Sequence, residues 1–296
     1  MLKLATYTVG TVILGTAVAW VLTEPRHADI ETIASFTPDL TRGEYVYTAG
    51  GCASCHAGDD GNAEVLSGGM AFVSAFGTFY APNISSDPDH GIGTWSALNL
   101  ADAVLHGTSP QGEHYYPAFP YTSYAKMQPS DVVSLHAYMM TLPASTTPSK
   151  SHDVGFPFNI RRTLGGWKLL FGSSATDWAV TDPNMTPEEL QGRYLVESLA
   201  HCGACHTPRN VLGGMDTSKW LGGAPNPSGK GTIPNITPGT LTWSTEDIAY
   251  YLESGFTPEF DAVGGHMAHV VDNFAKLDAT DRINVADYLK RVTPVE

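Results

Sequence analysis

Cys52-Ala53-Ser54-Cys55-His56 and Cys202-Gly203-Ala204-Cys205-His206 are two copies of one pattern, and together they use all four cysteines of the chain. Two cysteines three positions apart leave the same side of a helical turn. Their sulfurs can therefore reach the two vinyl groups on one edge of a porphyrin, and the histidine that follows then lies under the iron. Thioether bonds would fix the ring and the imidazole would be its proximal ligand, which is the attachment pattern of c-type haem. The motifs predict two covalently attached haem c groups, one on Cys52, Cys55 and His56 and one on Cys202, Cys205 and His206, with no cysteine left for a disulfide. A zinc half-site or a redox dithiol also uses Cys-x-x-Cys. Zinc ribbons place the second pair about 15–20 residues on, whereas these pairs are 150 residues apart. The βαβ pattern expected around a thioredoxin-like dithiol is absent.

The ligand opposite each histidine sets what such a site does. A methionine thioether raises the reduction potential relative to a second histidine, because soft sulfur favours ferrous iron. Met267, in "VGGHMAH", is the candidate of the second copy, lying far enough beyond His206 for the loop to wrap round a ring. Its counterpart in the first copy falls near Ala118–Phe119, so the nearest methionine, Met127, is taken as the ligand there. Met70 and Met215 form a rival symmetric pair. They follow their histidines by only 14 and 9 residues, which leaves little chain to cross to the opposite face, and they are read as packing residues. His106, His114, His266 and His269 would give a bis-histidine site, although a core or solvated histidine is the commoner fate of each.

The elements that must position these residues also come in two copies. "RGEYVYTAGGCASCHAG" (42–58) matches "QGRYLVESLAHCGACHTP" (191–208), "VLSGGM" (65–70) matches "VLGGM" (211–215), and "APNIS" (81–85) matches "IPNIT" (233–237). "TWSALNLADAVLHGTSP" (94–110) matches "TWSTEDIAYYLESGFTP" (242–258), and "YAKMQPSDVVSLHAYM" (124–139) matches "FAKLDATDRINVADYL" (274–289). The order never changes, which implies a duplicated unit of about a hundred residues. In each copy one helix runs into the cysteine pair. A second starts at Ser96 or Ser244 as N-cap, with Asp247 at the capping-box position, and ends at Gly107 or Gly255 with Pro110 or Pro258 beyond. A third begins near Asp131 or Asp281 with apolar residues at helical spacing. No strand pattern competes, so the expected fold class is all-α.

The chain has 296 residues and a net charge of −14. Such an acidic balance argues against nucleic acid, whose binding depends on neutralising phosphates, and favours basic partners. Residues 4–22 carry no charge and approach the roughly 20 residues of a membrane-spanning helix. They are read as an uncleaved anchor, preferred over a signal peptide because the run exceeds the ~7–15 residues of a signal h-region. Lys3 and the amino terminus precede it, which keeps the start on the cytoplasmic side. The expected organisation is an anchor or signal segment over 1–23, a first unit over 36–142, a linker over 143–185 and a second unit over 186–296. The linker's "FPFNIRRTLGGWKLLFG" is aromatic and locally basic, and is read mainly as packing between the units.

"FGTFYAPNIS", "DPDHGIGTWS" and "HYYPAFPYTSYAKM" in the first unit, with "CGACHTPRN", "PNITP" and "HMAHVV" in the second, resemble membrane-anchored multi-haem cytochromes c of bacteria. Those proteins serve as cytochrome subunits of alcohol, gluconate and related periplasmic dehydrogenases. The resemblance covers nearly everything after residue 40. It implies two tandem class I cytochrome c domains with low-spin His/Met haems, on the periplasmic side of the bacterial inner membrane. The dehydrogenase subunits commonly bear three haem motifs, and this chain has two. The function expected is electron transfer between a periplasmic dehydrogenase, or another donor, and a downstream cytochrome or terminal oxidase, with no bond chemistry on a substrate. The rivals are a di-haem redox enzyme such as a peroxidase, which needs an open distal position, and a subunit of a terminal oxidase.

Overall fold

The computed structural model describes residues 15, 17–58, 61–172, 175–227, 229 and 231–296. A short helix, α1 (Ile30–Ala34), precedes α2 (Leu40–Ala49), whose N-cap Asp39 accepts from the Arg42 backbone amide. α3 (Cys52–His56) holds the first motif. A hairpin of β1 (Ala71–Ser74) and β2 (Gly77–Tyr80) follows, with Ala71 opposite Tyr80 and Ser74 opposite Gly77. α4 (Ala97–His106) opens on a capping box between Ser96 and Asn99 and closes on Gly107 at φ 60°, where a side chain would strain. One turn, α5 (Tyr121–Tyr124), leads to α6 (Pro129–Met139). α2 crosses α6 at Gly43, where a Cβ would stand 2.2 Å from the Ser134 carbonyl oxygen.

After the linker helix α7 (Leu164–Phe171) the order recurs. α8 (Pro187–Tyr194) begins on a Thr186–Glu189 capping box and runs into a more loosely wound turn, Leu195–Leu199, closed by the Ala200 amide on the Leu195 carbonyl at 2.8 Å. α9 (Gly203–His206) holds the second motif. β3 (Ala224–Pro225) and β4 (Thr232–Ile233) make a smaller hairpin. α10 (Thr245–Ser254) is capped by Ser244 with Asp247 and ends on Gly255 at φ 76°. α11 (His266–Phe274) and α12 (Ala279–Arg291) complete the chain. α8 crosses α12 at Gly192, where a Cβ would stand 1.9 Å from the Asn284 carbonyl oxygen.

Two expectations need correction. The fold is mostly helical, consistent with the all-α class, but strands are present after all: two antiparallel hairpins of two to four residues per strand lie between motif and middle helix. The counterpart of Leu66–Gly69 is Leu221–Ala224, and not the 211–215 stretch. Ile84 and Ile236 donate to the Leu66 and Leu221 carbonyls at 2.9 and 3.0 Å, and Gly68 and Gly223 donate to the His56 and His206 carbonyls at 2.8 and 2.7 Å. Met215 lies in extra chain between His206 and Leu221, bridged to Arg209. Met70 and Met215 are therefore not a symmetric pair.

The halves pack about an approximate internal two-fold. Buried Asp131 is held by the Arg42 guanidinium at 2.8 and 2.7 Å and accepts from Tyr194 of the other half at 2.6 Å. Gln191 donates to Asp281 at 3.2 Å and to Tyr45 of the other half at 3.0 Å. One hydrophobic core runs through both halves, from Val46 and Tyr47 to Leu195, Val196 and Leu199. The linker closes the assembly, as expected of a packing segment. Asp153 bridges Thr78 on the first hairpin, Lys168 caps the carbonyls of His106 and Gly107 at 2.7 and 2.8 Å, and Trp167 Nε1 donates to the Leu212 carbonyl at 2.9 Å.

Most of the run read as a membrane anchor lies outside the described residues. Residues 17–22 are helical, with Val18, Trp20, Val21 and Leu22 exposed. Arg162 stacks over the Trp20 ring at 4.4 Å and donates to the Trp20 and Thr23 carbonyls. Among the described residues no helix is long and apolar enough to cross a membrane.

Candidate haem-attachment sites

Both motifs sit on single helical turns, so Cys52 with Cys55 and Cys202 with Cys205 project from one side as the spacing requires. All four cysteines are free thiols. Burial pushes Cys52 and Cys202 up to about 12, with Cys55 and Cys205 respectively adding to it. Burial and then Cys205 push Cys55 up to about 11.

Each histidine is oriented by the same device. The Nδ1 atoms of His56 and His206 lie 2.8 Å from the carbonyl oxygens of Pro82 and Pro234. A carbonyl can only accept, so Nδ1 carries the proton and Nε2 keeps its lone pair for a metal. Burial holds both imidazoles below their usual range, against the opposing proline contact, which keeps them in the neutral, ligating form.

The proline loops are themselves fixed. Asn83 donates to the carbonyls of Ser145 and Thr147 at 2.8 Å and accepts from the Ser85 amide at 2.9 Å. Asn235 donates to the Val295 carbonyl at 2.7 Å and accepts from the Thr237 amide at 2.8 Å. The sequence showed the Pro-Asn-Ile repeat but not this role, since the acceptor is a backbone atom.

Paired thiols on one turn and a neutral histidine with a free Nε2 fit a covalently bound haem at each motif. They do not fit zinc. Among the described residues no three His, Cys, Asp or Glu side chains converge on a common point.

The sequence candidates for the opposite side of each iron fall in different settings. Met267 is in the first turn of α11, half-buried, rather than in an open loop. Met127 is two residues before α6, enclosed in the hydrophobic core at 6% exposure. Between the motifs, Asn273 Nδ2 donates to Ser54 Oγ at 2.9 Å. The Tyr124 hydroxyl donates to the Gly50 carbonyl at 3.3 Å, and its ring meets His201 edge-on at 5.3 Å.

Comparison with known proteins agrees with this geometry. The Cytochrome c family model matches residues 40–143. A "Diheme cytochrome c-type" protein of Cereibacter sphaeroides is 55% identical over 96% of both chains. The fructose dehydrogenase cytochrome subunit of Gluconobacter japonicus is 37% identical over 94% of this chain and 56% of its own length. The gluconate 2-dehydrogenase cytochrome c subunit of Pantoea cypripedii is 34% identical over 85% of this chain and 59% of its own. The chain thus spans little more than half the length of these dehydrogenase subunits.

Proposed function

The chain belongs to the di-haem cytochromes c, and from that premise we propose that it passes electrons from a periplasmic dehydrogenase, or another donor, to a downstream cytochrome or terminal oxidase. It would do so as two tandem cytochrome c domains, over 36–142 and 186–296. Each haem, when bound, supplies a reversible one-electron couple. The residues do the rest. Cys52, Cys55, Cys202 and Cys205 hold the two rings by thioethers, and His56 and His206 present Nε2 to the irons. The Pro82 and Pro234 carbonyls fix those imidazoles. Met267 is the proposed thioether ligand of the second iron.

The observation that carries this reading is the direct contact of the first attachment turn with the second half. Ser54, between the two cysteines of the first motif, is hydrogen-bonded to Asn273 of the other half, on the helix that carries Met267. A carrier that relays between two centres needs such an arrangement, whereas two independent sites do not. The dehydrogenase partner is proposed from the printed names of the relatives. Attachment to the periplasmic face of the inner membrane is proposed from the uncharged run 4–22 alone.

A net charge of −14 steers a basic partner and raises association rate more than affinity. Mixing the reduced protein with an oxidised basic cytochrome c should give second-order oxidation that slows as salt rises. No oxidation at any salt concentration would remove the carrier reading.

A further inference from the structure

The two halves differ where the second places Met267. Tyr115 donates to the Gly107 carbonyl at 2.7 Å, and Val263 to the Gly255 carbonyl at 2.8 Å. Counting forward from that matched pair sets Phe119 against Met267. The second loop is two residues longer, so counting back from Tyr124–Met127 against Phe274–Leu277 sets Pro117 against Met267. Neither Pro117, Ala118 nor Phe119 carries an atom that can ligate iron.

Met127 lies opposite Leu277 instead. Both are core residues, 6% and 7% exposed. Both amides close the same turn, Met127 on the Tyr124 carbonyl at 2.8 Å and Leu277 on the Phe274 carbonyl at 3.1 Å. In the second half this position packs and cannot ligate, and Met127 occupies the same place in the fold.

Four histidines outside the motifs, His27, His114, His136 and His152, are engaged elsewhere. His136 Nε2 meets the Trp95 carbonyl at 2.8 Å, and His152 Nδ1 accepts from the Tyr80 amide at 3.1 Å. His27 pairs with Asp102 at 2.8 Å, and His114 Nε2 meets the Thr23 carbonyl at 3.0 Å. His106 is the last residue of α4, ahead of its Gly107 cap.

We propose that the iron held by His56 has no protein thioether or imidazole opposite it, and that its sixth position is an exchangeable site for small exogenous ligands. Carbon monoxide would enter in the ferrous state, and cyanide or imidazole in the ferric. This replaces the expectation that Met127 closes the first iron, and it rests on the reading that each motif carries one haem. The neighbourhood is aromatic. The Phe119 ring stands edge-on to Tyr115 at 6.0 Å and lies 5.8 Å from Tyr124, whose hydroxyl reaches the residue pair preceding Cys52. Tyr121, 6.4 Å from Phe119, has a buried hydroxyl with no hydrogen-bond partner among the described residues. An apolar wall with a spare hydroxyl suits a compact ligand of low polarity.

The test uses the purified full-length protein. Haem content is measured first by the alkaline pyridine method. Fewer than two haems per chain overturns the reading of the motifs, separately from the coordination. With two haems, ferric magnetic circular dichroism should show one thioether-ligated low-spin centre and one high-spin centre. Carbon monoxide should bind one equivalent per reduced chain. Met127→Leu should leave spectrum and stoichiometry unchanged. Phe119→Met should add a second thioether-to-iron band and cut carbon monoxide binding at least tenfold. Two low-spin centres in the wild type that exclude carbon monoxide overturn the proposal, and so does loss of a thioether band in Met127→Leu.

Discussion

Asn273 Nδ2 donates to Ser54 Oγ at 2.9 Å, and so joins the helix that carries Met267 to the turn between Cys52 and Cys55. A side-chain hydrogen bond of this kind, partly shielded, contributes about 1 kcal/mol. Asn273→Ala and Ser54→Ala should each lower the stability of the haem-loaded protein by that amount. The double variant should cost no more than either single one, because the two substitutions remove one shared bond. Denaturant titration of the four proteins checks this. Additive losses would mean that the contact does not couple the halves.

The helix crossings make a sharper demand. At Gly43 a methyl group would meet the Ser134 carbonyl, and at Gly192 the Asn284 carbonyl. Neither backbone can retreat without opening the crossing, so Gly43→Ala and Gly192→Ala should each destabilise by about 1–3 kcal/mol, the usual cost of overpacking. Since one core runs through both halves, unfolding in denaturant should stay a single transition with a lowered midpoint. An unchanged midpoint in either variant would show that the helices there are not in backbone contact.

The elements that were legible in the sequence are those set by local chemistry. Ser96 and Ser244 cap their helices, and Gly107 and Gly255 end them, as the sequence pattern requires. The two motifs form the expected single turns. The hairpins escaped notice because strands of two to four residues are too short for alternation to register. The 211–215 match misled because 15 residues separate His206 from Leu221 against 10 between His56 and Leu66, and the extra chain contains a chance likeness to residues 65–70. The Pro82 and Pro234 acceptors are backbone atoms without a residue signature. The exchange of Tyr194 and Tyr45 between halves depends on packing that no local pattern encodes.

A pH effect follows from His114. Burial holds its imidazole down to about 4, with the Lys168 and Arg162 cations acting in the same direction and the Thr23 carbonyl opposing. In the unfolded chain it titrates near 6.5. Between those values the unfolded state binds the proton and the folded state does not, so this residue makes stability fall as pH drops from about 6.5 towards 4. His114→Gln keeps a donor for the Thr23 carbonyl but cannot take up the proton. Its melting temperature should fall less steeply than that of the wild type between pH 7 and 4. Parallel profiles would assign the acid sensitivity to other groups.

The proline loops lead to a prediction about potentials. A histidine that donates firmly from Nδ1 is the more basic ligand at Nε2 and favours ferric iron. Asn83 and Asn235 hold the accepting loops of His56 and His206 respectively, each through bonds to distant backbone carbonyls. Asn83→Ala should loosen the Pro82 carbonyl and raise the midpoint potential of the first haem alone. Asn235→Ala should do the same for the second. Each should also cost about 1–3 kcal/mol of stability, because the carbonyls that Asn83 or Asn235 satisfied lose their donor. Spectroelectrochemical titration of the two variants separates the effects. A fall in potential, or equal shifts of both haems in either variant, would mean that the loops do not tune their own histidines.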